Sequence, residues 1–219
     1  MSRAKPLLSR RFDHELALLD AGQRQLVKME FASEERVNDA RKRGWECRVQ
    51  EGGYRVHADT ADLVLGQGEG VTVFVGTTSA VRRGLQLEEI ERHGGGQQRR
   101  QAIVEIGALV GYPPCCVETY AQQETQTESA SFARLLGNSS ETSGQFLNNF
   151  FPLAHQLISH FPCSLRCQAS ARVGAVALEF LEAEDPDHAR RVLELLRAPI
   201  RVFDRLRFVI DHPTEGQVC

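Results

Sequence analysis

Apolar residues recur at helical spacing along most of the chain, and this pattern changes in one central stretch. The first 45 residues predict helices, among them a Ser33-capped helix, SEERVNDARKRG, that ends at Gly44. From about residue 45 to residue 76 the segments are short, rich in valine and broken by glycine, which predicts a small antiparallel sheet. The pair Gly52-Gly53 is the predicted hairpin turn.

The remaining chain returns to helical spacing. Helices are predicted over LQLEEIERHGGG (85–96), QQRRQAIVEIGALVG (97–111), FLNNFFPLAHQLISHF (146–161) and HARRVLELLRA (188–198), and another is predicted to open at Pro162. PIRVFDRLRFVID (199–211) alternates and predicts a strand or hairpin. We therefore expect an α+β fold, with a mainly helical C-terminal part and a small antiparallel sheet from the middle of the chain. The expected parts are residues 1–96 and 97–219, an arrangement that is also compatible with one compact unit.

Composition narrows the class of protein. The chain has 219 residues, 42% of them hydrophobic and 25% charged, which is typical of globular proteins. A net charge of -3 does not favour a nucleic acid as partner, and no apolar run has the length of a membrane helix. Without a recognisable export signal we expect a cytoplasmic protein. Its expected partners are a small-molecule substrate, a second copy of the chain or another protein, and not nucleic acid or a membrane.

Four of the six cysteines fall in two proline-led clusters. Pro113 and Pro114 precede Cys115 and Cys116, and PCSLRC holds the other two, Cys163 and Cys167. Proline is favoured in the first turn of a helix, where free N–H groups and the helix dipole stabilise thiolates. The two remaining cysteines are isolated, and we interpret Cys47 as a small apolar side chain and Cys219 as a terminal thiol.

The spacing within each cluster makes a geometric prediction. If Pro162 opens a helix, Cys163 and Cys167 lie one turn apart on the same face. Neighbours on a helix point about 100° apart, so Cys115 and Cys116 are not expected to bind one ion equally. We favour Cys116 as the ligand, with Cys115 as a substitute or supporting thiol.

Three thiolates with an open position fit two kinds of cofactor. One is a [4Fe-4S] cluster whose fourth iron binds substrate, and the other is zinc with histidine or water as the fourth ligand. His160 lies three residues before Cys163 and is the candidate fourth ligand. Core thiols or a redox pair are the alternative to a metal.

The same residues carry a family resemblance. Tyr112-Pro113-Pro114-Cys115-Cys116 and His160-Phe161-Pro162-Cys163-Ser164-Leu165-Arg166-Cys167 resemble the Y-P-x-C-C and H-x-P-C-S-x-x-C elements of a little-studied prokaryotic family of unknown function. The resemblance covers about the second half of the chain. It implies that the cysteine pairs and His160 belong to one site, and it supplies neither a reaction nor a cofactor.

Three functional hypotheses follow. The first is an iron–sulfur enzyme that uses an open iron as Lewis acid in a lyase- or sulfur-transfer-type reaction on a small polar molecule. Its candidate catalytic residues are His160 as proton donor, Asn148 as a substrate-orienting amide and Ser170 facing the metal. Each has a structural alternative: His160 could be a capping histidine, Asn148 a solvated asparagine and Ser170 a surface hydroxyl. The second is a zinc-stabilised protein-interaction module, and the third is a thiol–disulfide redox protein.

Overall fold

A computed structural model describes residues 13–30, 33–56, 63–65, 70–123, 128–137, 146–149, 155–202 and 208–210. The first half of this described chain runs α1 (His14–Asp20), β1 (Leu26–Met29), α2 (Glu34–Lys42), β2 (Glu46–Val56), β3 (Leu63–Leu65) and β4 (Gly70–Gly76). Three consecutive helices follow, α3 (Thr78–His93), α4 (Gly96–Leu109) and α5 (Pro114–Ala121).

The strands β1 to β4 form one antiparallel sheet in the order β1-β4-β2-β3. The predicted α+β class and the central antiparallel sheet are therefore confirmed. One strand was not expected: β1 lies in the first 45 residues, where the sequence predicted only helices. This prediction was wrong because the four residues of β1 pair with β4, with Leu26 opposite Gly76 and Met29 opposite Val73.

The expected hairpin turn at Gly52-Gly53 is also wrong. Strand β2 continues through both glycines to Val56, and its register against β4 shifts between Gln50 and Tyr54. Glycine inside a strand is common at such irregularities, because the missing side chain relaxes the pleat.

Helices cover both faces of the sheet. On one face, α1 and α2 pack with the odd-numbered residues of β1 and β4 around a core of Leu16, Leu19, Val27, Met29, Val37, Ala40, Val73 and Val75. Cys47 packs at the edge of this core as expected, whereas Cys219 lies outside the described residues. On the other face, α3 and α4 pack against Leu26 and Phe74. The sheet is thus the middle layer of three.

The C-terminal part is helical, as predicted. It consists of α6 (Glu128–Gly137), a short 3₁₀ turn (Phe146–Asn148), α7 (Gln168–Glu184), α8 (Pro186–Arg197) and a hairpin of β5 (Ile200–Val202) with β6 (Phe208–Ile210). Leu18 of α1 joins the core that α7 and α8 share. No helix within the described ranges combines the length and apolarity needed to cross a membrane.

The helix predicted over residues 146–161 is wrong for the part that the structure describes. Residues 146–148 form only the 3₁₀ turn, and residues 155–160 run as bends without helix; residues 150–154 lie outside the described chain. The apolar spacing there has another cause. Leu157 and Ile158 are almost fully buried, so the segment is apolar because it crosses the interior rather than because it is a helix.

A cluster of buried charged side chains lies near the end of β1. The Nζ of Lys28 lies 2.8 Å from Oε2 of Glu88, whose other carboxylate oxygen lies 3.2 Å from the guanidinium of Arg92. Glu88 is fully buried, and Lys28 shares the sheet face of Leu26. Both carboxylate oxygens are thus matched by cations, as a buried carboxylate requires.

Candidate metal centre

The first cysteine pair lies where the sequence placed it. Pro113 is the residue before α5 and Pro114 is its first residue, so Cys115 and Cys116 occupy the first turn. Helix α5 packs on α4 through Val117, which contacts Ile103 and closes over Gly107. The sheet and α4 thus fix the position of this helix end.

The second pair does not lie on one helix. Pro162 does not open a helix; residues 161–167 form a turn-rich loop, and α7 begins only at Gln168. Cys167 is the residue before that helix, with extended backbone angles of φ -63° and ψ 109°, and its sulfur accepts the N–H of Ser170 at 3.4 Å. Its thiol therefore performs the capping task that a serine or aspartate side chain usually performs.

The loop nevertheless brings both pairs together. The Sγ of Cys167 lies 3.7 Å from the Sγ of Cys115 and 3.7 Å from that of Cys116, and the latter two sulfurs are 4.0 Å apart. With Cys163, all four sulfurs lie within 4.8 Å of one another. In the described residues this is the one group of three or more histidine, cysteine or carboxylate side chains with ligand atoms so close.

The four sulfurs differ in their surroundings. Cys116 and Cys167 are buried, with exposed fractions of 2% and 7%, whereas Cys163 is half-buried and Cys115 is exposed. The two buried sulfurs each accept a backbone N–H: Cys116 from Cys163 at 3.3 Å and Cys167 from Ser170 at 3.4 Å. Within the described chain, the sulfurs of Cys115 and Cys163 accept no backbone N–H.

Crowding and burial separate the thiol pKa values. Burial raises the pKa of Cys116 and raises the pKa of Cys163 to about 11, and the neighbouring sulfurs add to both shifts. For Cys167, burial acts to raise the pKa, but the Ser170 N–H and the hydrogen bonds from the other three thiols outweigh it, and its pKa is lowered. Among the four sulfurs, Cys167 is thus the one whose surroundings most favour the negatively charged form.

Three side chains fasten the loop that carries Cys163 and Cys167. Asn148, which is 1% exposed, donates from Nδ2 to the carbonyls of Leu165 at 3.0 Å and Cys167 at 3.1 Å. Arg134 of α6 donates to the carbonyls of Cys163 at 2.8 Å and Pro162 at 3.2 Å. The hydroxyl of Tyr112 donates to the carbonyl of Ser159 at 3.0 Å. Hydrogen bonds from the neighbouring elements therefore replace regular secondary structure in this loop.

His160 and Ser170 lie beside the cysteines and contact each other. The Nε2 of His160 is 2.9 Å from the hydroxyl of Ser170, and its ring centroid is 4.9 Å from that of Tyr112. Burial, followed by the positive charge of Arg24, lowers the pKa of His160 to about 3. The imidazole is therefore neutral at physiological pH and lies outside the group of four sulfurs.

The roles expected for these neighbours are not all visible in their contacts. Ser170 is fully buried and meets the centre through its backbone N–H rather than its hydroxyl. Asn148 holds loop carbonyls, and the catalytic roles expected of Asn148, His160 and Ser170 stay predictions. The sequence analysis missed Arg134, and no local signal marks it, because its partner carbonyls lie 28 and 29 residues further along the chain.

The donor set fits a metal ion. Four cysteine sulfurs within 4.8 Å are close enough to hold one ion, and thiolates are ligands that bind zinc and iron well. Two helix N-termini, those of α5 and α7, meet at the sulfurs and favour their negative charge. The sequence favoured Cys116 over Cys115 as the ligand, whereas in the structure the sulfurs of both residues belong to the same group of four.

Comparison with known proteins gives one match. The family model described as "Protein of unknown function (DUF483)" matches residues 70–197, a range that begins at β4 and contains all four clustered cysteines. No curated protein and no solved structure matches the chain. Because the matched range is more than half of the 219 residues, the chain belongs to the DUF483 family, as the resemblance in the sequence indicated.

Proposed function

We propose that this protein binds a single zinc ion through Cys115, Cys116, Cys163 and Cys167. The observation that carries the proposal is the sulfur spacing of 3.7, 3.7 and 4.0 Å, with the whole set within 4.8 Å. Zinc–sulfur bonds of about 2.3 Å in a tetrahedron place the sulfurs roughly 3.8 Å apart. The spacing of Cys115, Cys116 and Cys167 therefore supports one tetrahedral ion, and Cys163 is close enough to be its fourth ligand.

The same spacing argues against the [4Fe-4S] version of the cofactor. Such a cluster binds its cysteines through different irons, so the ligand sulfurs lie farther apart, at roughly 6 Å. The sulfurs of Cys115, Cys116 and Cys167, now 3.7–4.0 Å apart, would have to separate by about half of that distance or more. The loop that carries Cys163 and Cys167 is held by buried hydrogen bonds, which oppose such a movement. Zinc, the other predicted cofactor, requires no such movement, and we therefore prefer zinc to the iron–sulfur lyase or sulfur transferase.

The thiol–disulfide hypothesis is also less well supported. A redox protein has one privileged pair of thiols, whereas here Cys167 is equally close to Cys115 and to Cys116. A sulfur that contacts several others at similar distances is typical of a shared ligand site. We therefore regard disulfide formation as a reaction of the metal-free protein.

In this proposal the ion has a structural task. Four protein ligands leave no open coordination position, which is typical of structural zinc. The ion would join α5, which packs on the sheet layer through α4, to the loop and the start of α7 in the C-terminal helices. It would thereby stabilise residues 155–167, which have no helix or strand of their own. A protein partner, as in the interaction-module hypothesis, and the cytoplasmic location are part of this proposal.

Native mass spectrometry of the full chain, combined with elemental analysis, tests the proposal. We expect one zinc per chain and no iron. Cys167→Ser should lose the ion because its sulfur contacts two of the other three, whereas Cys47→Ser, outside the group, should retain it. Metal-free wild type after zinc reconstitution, four irons per chain, or full zinc in Cys167→Ser would contradict the proposal.

A further inference from the structure

The four sulfurs of the centre are not equivalent, and the differences single out one of them. Cys116 and Cys167 are buried, and each of their sulfurs accepts a backbone N–H, at 3.3 and 3.4 Å. A hydrogen bond to a thiolate draws electron density from the sulfur and lowers its reactivity toward electrophiles. Burial adds a steric barrier, so both the hydrogen bond and the burial protect each of these two sulfurs from electrophiles.

Cys115 has neither protection. It is exposed at the start of α5, and its sulfur accepts no backbone N–H from the described residues. Cys163 shares the lack of a backbone donor but is half-buried. The backbone of Cys163 is also fixed, because its N–H is donated to Cys116 and its carbonyl is held by Arg134. Access therefore separates Cys115 from Cys163.

Metal coordination keeps such a sulfur nucleophilic at neutral pH. Zinc replaces the proton on a cysteine, so the ligand is a thiolate in a pH range where a free thiol is mostly protonated. A metal-bound thiolate without hydrogen-bond donors retains most of its electron density. The exposed edge of the centre thus combines charge, access and a sulfur whose Cβ is anchored by a helix.

We propose that Cys115 is the nucleophilic thiolate of this centre and that its substrates are soft carbon electrophiles, namely alkyl groups attached to a good leaving group. The proposal rests on the proposed zinc site. The Cys115 sulfur supplies the electron pair of a new sulfur–carbon bond while the bond between carbon and the leaving group breaks. The leaving group departs with that bonding pair as an anion, and no oxidant or reductant takes part.

The product differs from the starting centre in a measurable way. The thioether formed at Cys115 is neutral and a weaker ligand than a thiolate, so the centre loses one negative charge and holds its ion less firmly. The reaction occurs once per chain, because the carbon–sulfur bond of the thioether is stable in water. The protein would therefore act as an alkyl acceptor whose metal centre changes when it has reacted.

Competitive alkylation tests this assignment. The full chain, zinc-loaded and carrying Cys219→Ser to remove the terminal thiol, is treated with a substoichiometric amount of iodoacetamide at neutral pH. Remaining thiols are then blocked with N-ethylmaleimide under denaturing conditions and mapped by tandem mass spectrometry. We expect Cys115 to be modified at least about tenfold faster than the other three clustered cysteines. Chelation of the zinc should abolish this preference.

Two matched variants separate reactivity from structural effects. Cys115→Ser should lose the fast modification, while Cys47→Ser, outside the centre, should keep its zinc and still be modified fastest at Cys115. Zinc content is measured in the same samples. Stoichiometric zinc with equal modification of the four cysteines, or with Cys163 fastest, would overturn this inference and leave the zinc site standing. A wild-type chain that binds no zinc would overturn both.

Discussion

Asn148 offers the most specific test of how the cysteine loop is held. Its Nδ2 donates to the carbonyls of Leu165 and Cys167 at 3.0 and 3.1 Å, and the side chain is 1% exposed. Asn148→Ala removes both bonds. The Cys167 carbonyl keeps the N–H of Ala171 at 2.9 Å, whereas the Leu165 carbonyl has no other donor among the described residues.

The expected cost follows from these two carbonyls. A lost hydrogen bond costs about 1 kcal/mol, and a buried carbonyl left without a donor costs about 1–3 kcal/mol. We expect Asn148→Ala to lower the free energy of unfolding of the zinc-bound chain by about 2–4 kcal/mol. Because the loop carries two ligand sulfurs, zinc affinity should fall by about 10–100-fold, as for other residues that position metal ligands.

The adjacent residue provides a matched control. Asn149 donates to the carbonyl of Leu196 in α8 at 3.1 Å, away from the cysteine loop. Asn149→Ala should therefore cost some stability but leave zinc affinity unchanged. Stability is measured by urea denaturation and zinc affinity by competition with a chromophoric chelator. Equal zinc affinities for the two variants would refute the role given to Asn148.

Three further predictions concern the packing and charges around the centre. Burial lowers the pKa of His14 to about 4, so its contribution to stability is complete above pH 6.5 and is lost as the pH falls toward 4. Between pH 7 and pH 5 the free energy of unfolding should therefore fall in the wild type, and it should fall by about 2 kcal/mol less in His14→Gln, as measured by urea titrations. Glu88→Gln should destabilise the protein by about 3–5 kcal/mol, because Lys28 and Arg92 would lose the buried carboxylate that balances their charges. Asp187→Asn, which breaks an exposed ion pair, should cost less than about 1 kcal/mol, and equal effects of the two variants in denaturant unfolding would contradict this. Gly107→Ala places a Cβ 2.5 Å from a valine methyl of α5 and should lower the melting temperature through a cost of about 1–3 kcal/mol, while Gly95→Ala, with no atom within 4 Å, should not.

The sequence predicted the elements whose pattern is local. The valine-rich runs, the capped helix after Ser33 and the helix α8 follow from spacing and capping residues alone. Strand β1 escaped detection because Lys28 occupies one of its inward positions. An inward lysine breaks the apolar alternation, and only the partner Glu88, 60 residues away in the chain, explains it.

The sequence predicted which cysteines form the site, but it did not predict the local geometry around them. Proline before a cysteine correctly marked the start of α5, but the same signal failed at Pro162, because α7 begins six residues later, at Gln168. Cysteine is not a usual capping residue, so the role of Cys167 could not be inferred from the sequence. The angle of about 100° between neighbouring helix residues suggested that Cys115 and Cys116 would not bind one ion equally. In the structure both sulfurs nevertheless belong to the group of four, because they lie at the end of the helix.

X-ray absorption at the metal edge of the purified chain tests the central claim most directly. The account predicts one zinc with four sulfur ligands at about 2.3 Å and no neighbouring metal atom. An iron spectrum with a short metal–metal distance, or zinc bound mainly by nitrogen and oxygen, would contradict it.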